Sequence, residues 1–305
     1  MSTQQSASTA KPGSAVPAPA VPALFAGLVD DAAVFPPGSA PLPDAVAAHR
    51  RHRAAWYADL VGPLLLPASA LPAAAELLGP DETVAIGLIG DTGVAGLPAA
   101  LAGADPRFAV HQAEVAVAKR GEDPQPGLAA LIAHYRARPQ LRGYAEIPLA
   151  TGLLSALDAV AAARAGGVSV APKFRTGGLA AELFPTPVEL AAVICACRDR
   201  ELPFKLTAGL HHAVRHTDPG TGFTHHGFLN VLVGAVGAAR GAEVDEIAEL
   251  LAATDPAPLV AAVADRTAAA RPLWVGYGSC SVTEPLDDLI GLGLIANPRG
   301  AQPSA

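Results

Sequence analysis

Between positions 24 and 280, short runs of Val, Ile and Leu alternate with longer Ala- and Leu-rich stretches of helical period. Apolar runs of this length, bounded by Gly, Pro and Asp, read as strands buried on both faces, and the periodic stretches between them as crossover helices. The runs fall at 27–35, 58–67, 83–90, 108–118, 143–149, 168–174, 203–207 and 273–277. The helical stretches are clearest at 42–53, 71–78, after Gly96, and at 153–165, 228–239 and 244–251; Gly166 and Gly167 mark a helix C-terminus.

Eight strand-then-helix units are the number that closes a barrel, so the expected fold is a single-domain α/β protein of (β/α)8 TIM type. An open doubly wound sheet is the alternative, but such sheets commonly carry a Gly-rich turn after the first strand. Here that turn reads Asp30-Asp31-Ala32-Ala33. The barrel is expected over residues 23–296, with a Ser-, Ala-, Pro- and Gln-rich leader at 1–22 and a tail at 297–305.

Composition supports this reading: 51% of the 305 residues are hydrophobic and only 5% aromatic, a vocabulary of small-residue helices over buried strands. The net charge of −7 comes without any basic run, which argues against nucleic acid as a partner. Apolar windows are interrupted by Gly, Pro or charge short of the roughly 20 residues a membrane span needs. Cys195 and Cys197 are too close together on a helix to staple the fold, and with Cys280 they fit a reducing cytoplasm. The expected partner is a small-molecule substrate, with no nucleic acid and no membrane; a homo-oligomer is left open.

In a TIM barrel the chemistry sits at the C-terminal ends of the strands. Strand six ends in Pro172-Lys173-Phe174-Arg175-Thr176-Gly177-Gly178, and strand seven continues through Lys205-Leu206-Thr207-Ala208-Gly209-Leu210-His211-His212. Each places a lysine within apolar sequence. Adjacent strands lie about 4.8 Å apart, so matched lysines would face each other across the mouth. Desolvation and the second cation would then depress the pKa of Lys173 and make it nucleophilic. The alternative is a buried ion pair of either lysine with Glu146 or Glu114. Glu146 on strand five is the preferred general acid/base, with Glu114 and Asp91 as competitors.

Lys173-Phe-Arg-Thr176-Gly177 and Lys205-Leu-Thr-Ala208-Gly209, 32 residues apart, resemble two segments of the class I aldolases of the deoxyribose-phosphate aldolase type. That resemblance implies a Schiff-base lysine at Lys173, a second lysine at Lys205, and an aldolase-like lyase acting on a small carbonyl substrate, sugar-derived ones included, without a cofactor. The family's double glycine after the second lysine is replaced here by Ala208-Gly209-Leu210, which leaves a phosphorylated substrate open.

The residues expected around such a substrate are Asp31, Glu114 and Arg175, then Thr176, Gly177, Gly178, Thr207 and Gly209, and finally His211, His212 and Arg215. Two further readings stay open. The histidines at 211, 212, 216, 225 and 226 could serve a metal-dependent barrel enzyme together with Asp30 or Asp31, or the mouth could be a non-catalytic site holding a small anion between Arg175, His211 and Arg215.

Overall fold

The computed structural model describes residues 21–298. The chain runs through β1 (Val29–Asp31), α1 (Leu42–Ala54), β2 (Val61–Pro67), α2 (Leu71–Ala75), β3 (Val84–Ile89), α3 (Gly93–Ala102), β4 (Phe108–Ala116) and α4 (Gln125–Arg136). It continues through β5 (Arg142–Glu146), α5 (Leu153–Ala165), β6 (Val170–Arg175), α6 (Pro187–Arg198), β7 (Phe204–Thr207), β8 (His216–Thr217) and β9 (Thr224–His225). The last elements are α7 (Phe228–Ala239), α8 (Val244–Ala252), α9 (Pro256–Ala264), β10 (Trp274–Ser279) and α10 (Thr283–Gly291).

Eight strands close into one barrel in the order β1-β10-β7-β6-β5-β4-β3-β2, with every neighbouring pair parallel. This is the (β/α)8 TIM-type barrel that the eight apolar runs predict. Most strands are shorter than the runs that announced them, because those runs include turn residues at their ends; β10 instead extends past its run to Ser279. Helix α5 matches its expected bounds, and its last turn ends on Gly166 and Gly167, the latter at φ 82°, a conformation that favours glycine. The segment between β7 and α7 adds a small antiparallel hairpin, β8 with β9, outside the barrel.

Val21, Leu24 and Phe25 are buried in the core, so the packed domain begins before position 23. The leader and tail expectations at 1–20 and 299–305 lie outside the described residues. Arg271 clips this start to β10: its guanidinium donates to the carbonyls of Leu24 (2.6 Å), Ala26 (3.2 Å), Trp274 (2.8 Å) and Val275 (2.7 Å). Among the described residues no single helix is long and apolar enough to cross a membrane.

Candidate active site

The strand register puts the charged residues into the barrel interior. Glu146 is paired with Lys173 across β5 and β6, and Lys173 with Lys205 across β6 and β7. Paired residues of neighbouring parallel strands point to the same face, so one inward position fixes the others. On β4, residues 112 and 114 share the inward face two positions apart, and both reach the same cluster.

Glu114 lies at its centre. Its Oε2 is 2.8 Å from the Lys173 ammonium, as an ion-pair contact without an aligned hydrogen bond, and its Oε1 accepts from Lys205 at 2.5 Å. Lys205 also donates to Asp30, and Gln112 donates to Asp30 (2.6 Å) and to Glu114 Oε1 (2.9 Å). The ammonium of Lys205 stands 4.8 Å over the Tyr144 ring, an arrangement that favours a cation. Lys173 reaches outward to Glu146 Oε2 at 2.9 Å, and the other oxygen of that carboxylate receives Arg175 at 3.2 Å.

Asp30, Glu114 and Glu146 thus face Lys173, Lys205 and Arg175, three anions against three cations. Neutrality of the set is what allows so many ionised groups to be buried together. Burial alone would lower the lysines, but Glu114 and Glu146 outweigh it at Lys173, and Asp30 and Glu114 at Lys205, so both ammoniums are held above the ordinary lysine value. This reverses the expected depression at Lys173: the neighbouring cation is present, but the Glu114 carboxylate stands between the two lysines and Glu146 faces Lys173 from the other side. Burial pushes Glu114 up, yet the two lysines bring it down to about 2. Glu146 is lowered by Lys173 and Arg175 against the same burial, whereas at Asp30 burial prevails over Lys205 and raises the carboxyl.

Access differs from one end of the cluster to the other. The side chains of Lys173, Lys205 and Glu114 are no more than 4% exposed, whereas Glu146 is 20% and Arg175 44% exposed. Glu146 and Arg175 line a groove of about 600 Å³ at the C-terminal side of β4, β5 and β6, with Lys119 and Arg120 at its rim and Leu149, Leu153 and Val193 on its apolar wall. This is the end of the barrel, and the range of size, in which substrates are commonly held. A smaller cavity of about 360 Å³ at the N-terminal end reaches Asp30, Gln112 and Lys205.

The other expected residues are placed as follows. Asp31, expected at the substrate, is corrected to a buried pair with His49 at 3.0 Å; alternation along β1 turns its neighbour Asp30 inward instead. Thr176 donates its hydroxyl to the Ala208 carbonyl at 2.7 Å and its backbone N–H to the Thr207 carbonyl at 2.9 Å, tying the loops after β6 and β7 together. Gly177 and Gly209 are that tie's point of closest approach: a Cβ on Gly177 would lie 2.9 Å from the Gly209 Cα, and Gly209 has φ 78°. Gly178 packs against Leu183. Asp91 accepts from Ser69, outside the cluster.

Three of the histidines pack ring against ring: His216 meets His212 edge-on with centroids 4.8 Å apart and stacks on His225 at 5.3 Å, while His212 is also 3.4 Å from Asp288 and His226 is buried against the Pro185 carbonyl at 2.7 Å. Among the described residues no group of three His, Cys, Asp or Glu side chains is arranged to hold a metal ion. The three residues of the small-anion reading are apart in their contacts: Arg175 meets Glu146, Arg215 meets His226 at 3.3 Å, and His211 meets Glu284 at 3.0 Å. Gln112 is not among the residues expected at the site, and Asp30 is expected only in the metal reading. The inward position of residue 112 beside Glu114, two residues along one strand, is the signal that could have found Gln112.

The fold and this site together define a parallel eight-stranded barrel with a two-lysine, three-carboxylate cluster inside it. No family model matches the sequence, and neither a curated protein nor a solved structure matches the chain.

Proposed function

We propose that the protein is an aldolase-like lyase that forms a Schiff base between Lys173 and a small carbonyl substrate entering from the groove beside Glu146. The observation that carries the reading is the position of Lys173 between two carboxylates, Glu114 at 2.8 Å inside the barrel and Glu146 at 2.9 Å at the groove wall. An iminium carries the same single positive charge as the ammonium it replaces. Carboxylates fixed to hold the one therefore stabilise the other, without reorganisation.

The same carboxylates set the first step. Lys173 is protonated at rest, so its proton passes to Glu146 before the amine attacks the carbonyl carbon. As the C–N bond forms, the π electrons move to oxygen, and that oxygen takes one of the two protons left on nitrogen to give a neutral carbinolamine; its hydroxyl then takes the proton back from Glu146 and leaves as water, and the nitrogen lone pair closes the iminium. In cleavage the Glu146 carboxylate accepts the proton of the substrate's β-hydroxyl, and the C–C bonding pair moves into the iminium to give an enamine. Lys205 acts at a distance from these atoms, holding Glu114 ionised and in place, in contrast to the pKa-lowering role expected for it.

Free thiols at Cys195, Cys197 and Cys280 accord with a cytoplasmic setting. The test is reductive trapping. Incubation with short aldehydes such as glycolaldehyde and with borohydride, followed by peptide mass spectrometry, should place the label on Lys173, and Lys173→Ala should abolish it. Label spread over Lys119 and other accessible amines, with none enriched at Lys173, would remove the reading.

A further inference from the structure

A second constellation lies on the same face of the barrel, and the lysine chemistry does not use it. Cys280 directly follows β10, His211 lies four residues beyond β7, and Glu284 is in the first turn of α10. Because β10 pairs with β7, the fold brings together residues 69 and 73 positions apart in sequence. The Cys280 sulfur is 3.9 Å from both His211 ring nitrogens, and Glu284 Oε2 is 3.0 Å from Nδ1. A carboxylate on Nδ1 orients the ring and supports its cationic form, which leaves Nε2 to face the sulfur or a bound molecule.

We propose that Cys280 is a second nucleophile of this protein, a thiolate paired with the His211 imidazolium that adds reversibly to the carbonyl carbon of a small aldehyde. The nearby charges favour the ion pair. The Cys280 sulfur, against the effect of burial and with the help of Glu284, lifts His211 to about 9. Cys280 also lies just ahead of the nine-residue helix α10, whose N-terminal N–H groups favour a neighbouring anion. The opposing charges are Glu284 itself, Asp288 one turn further along α10, and Asp31, which is in register with Ser279 but is occupied by His49.

Addition to a carbonyl consumes one electron pair and one proton, and this pair supplies both. The thiolate forms the S–C bond, the C=O π electrons move to oxygen, and that oxygen takes the proton of His211 Nε2. The products are a neutral thiohemiacetal and a neutral imidazole; reversal restores the starting pair, so no oxidant or leaving group is required. The inference does not rest on the Schiff-base reading, since Lys173 takes no part.

The full chain carries its own controls. Cys195 and Cys197 are buried, and burial pushes both thiols up, Cys197 to about 12. Alkylation by iodoacetamide, read for each cysteine by peptide mass spectrometry, should label Cys280 far ahead of the other two. Its rate should change less than about twofold between about pH 6 and about pH 8, and at the lower pH should exceed that of glutathione by roughly tenfold, as for a preformed thiolate. His211→Gln should restore a rise of about tenfold per pH unit, the behaviour of an ordinary thiol below its pKa. Glu284→Gln, at a half-exposed position where folding is not at stake, should shorten the plateau from its alkaline end. Acetaldehyde should slow the alkylation of Cys280 in the wild type and equally in Lys173→Ala. A wild-type rate that already climbs tenfold per pH unit, or an absence of aldehyde protection, would overturn the proposal; loss of protection in Lys173→Ala alone would assign aldehyde binding to the lysine and overturn it as well.

Discussion

Lys173 and Lys205 stand in register on adjacent strands, and their ammoniums meet the two oxygens of one carboxylate, Glu114. The distance between the lysines would by itself imply mutual depression of their pKa values. The shared carboxylate reverses that sign, and the consequences differ from those of an isolated lysine pair.

Glu114→Gln should be strongly destabilising. It removes the anion common to both lysines and leaves two buried ammoniums facing Asp30 and Glu146, one of which already serves Arg175. Breaking a buried ion pair from one side costs about 3–5 kcal/mol, which urea denaturation near neutral pH should show. The acid limb is also diagnostic. Glu114 titrates at about 2 in the fold against an ordinary 4.5, so its contribution is complete above the ordinary value and is lost as pH falls through the folded one. Lowered Glu146 adds to this limb and raised Asp30 works against it. Between those values the wild type should lose stability more steeply than Glu114→Gln.

Much of this arrangement is legible from the chain. The eight apolar runs specify the barrel, and because Lys173 and Lys205 each sit inside a run one βα unit apart, their placement on neighbouring strands follows; their matched heights come from the register. The ion-pair alternative for the lysines was equally visible, but choosing it requires knowing which way Glu114 and Glu146 point. On β1 the obstacle is length: a three-residue strand ending in two aspartates has no alternation from which to tell the inward one. The Cys280–His211–Glu284 contact is invisible in sequence because the barrel closure, and not local spacing, creates it.

Arg271 shows a second feature that only the closed barrel reveals. Its donors span carbonyls of the segment before β1 and of β10, and burial lowers its pKa to about 10. A single ammonium cannot reach both sides at once. Arg271→Lys should therefore cost about 3 kcal/mol, the loss of one or two charge-assisted hydrogen bonds. Thermal unfolding checks this, and an unchanged midpoint would mean that the clip contributes nothing to stability.

Gly62 is required by what faces it. A Cβ there would lie 1.9 Å from Asp30 Oδ1, so Gly62→Ala must displace the carboxylate that holds Lys205 and Gln112. Overpacking of this kind costs about 1–3 kcal/mol. The same substitution should slow reductive trapping at Lys173, because Glu114 is then drawn towards an under-neutralised Lys205. A stability loss with an unchanged trapping rate would separate the lower half of the cluster from the chemistry.

The last prediction concerns the rate of imine formation and its dependence on pH. Glu114 and Glu146 hold the Lys173 ammonium above the ordinary lysine value, so the free amine is scarce at neutral pH and becomes more abundant as pH rises. Trapping should therefore accelerate steadily from about pH 7 to about pH 10, with no plateau near neutrality of the kind a depressed lysine shows. Glu146→Gln has two opposing effects. It removes one anion that stabilises the ammonium, which lowers the pKa of Lys173, and it removes the group that accepts the proton and returns it to the departing hydroxyl. If Glu146 acts only as a counter-ion, the variant should trap faster than the wild type at neutral pH. If it moves the proton, the variant should trap more slowly by about 10²-fold or more while its rising limb shifts to lower pH. The reading of Glu146 as the proton carrier predicts the second outcome, and a faster variant would confine the carboxylate to electrostatics.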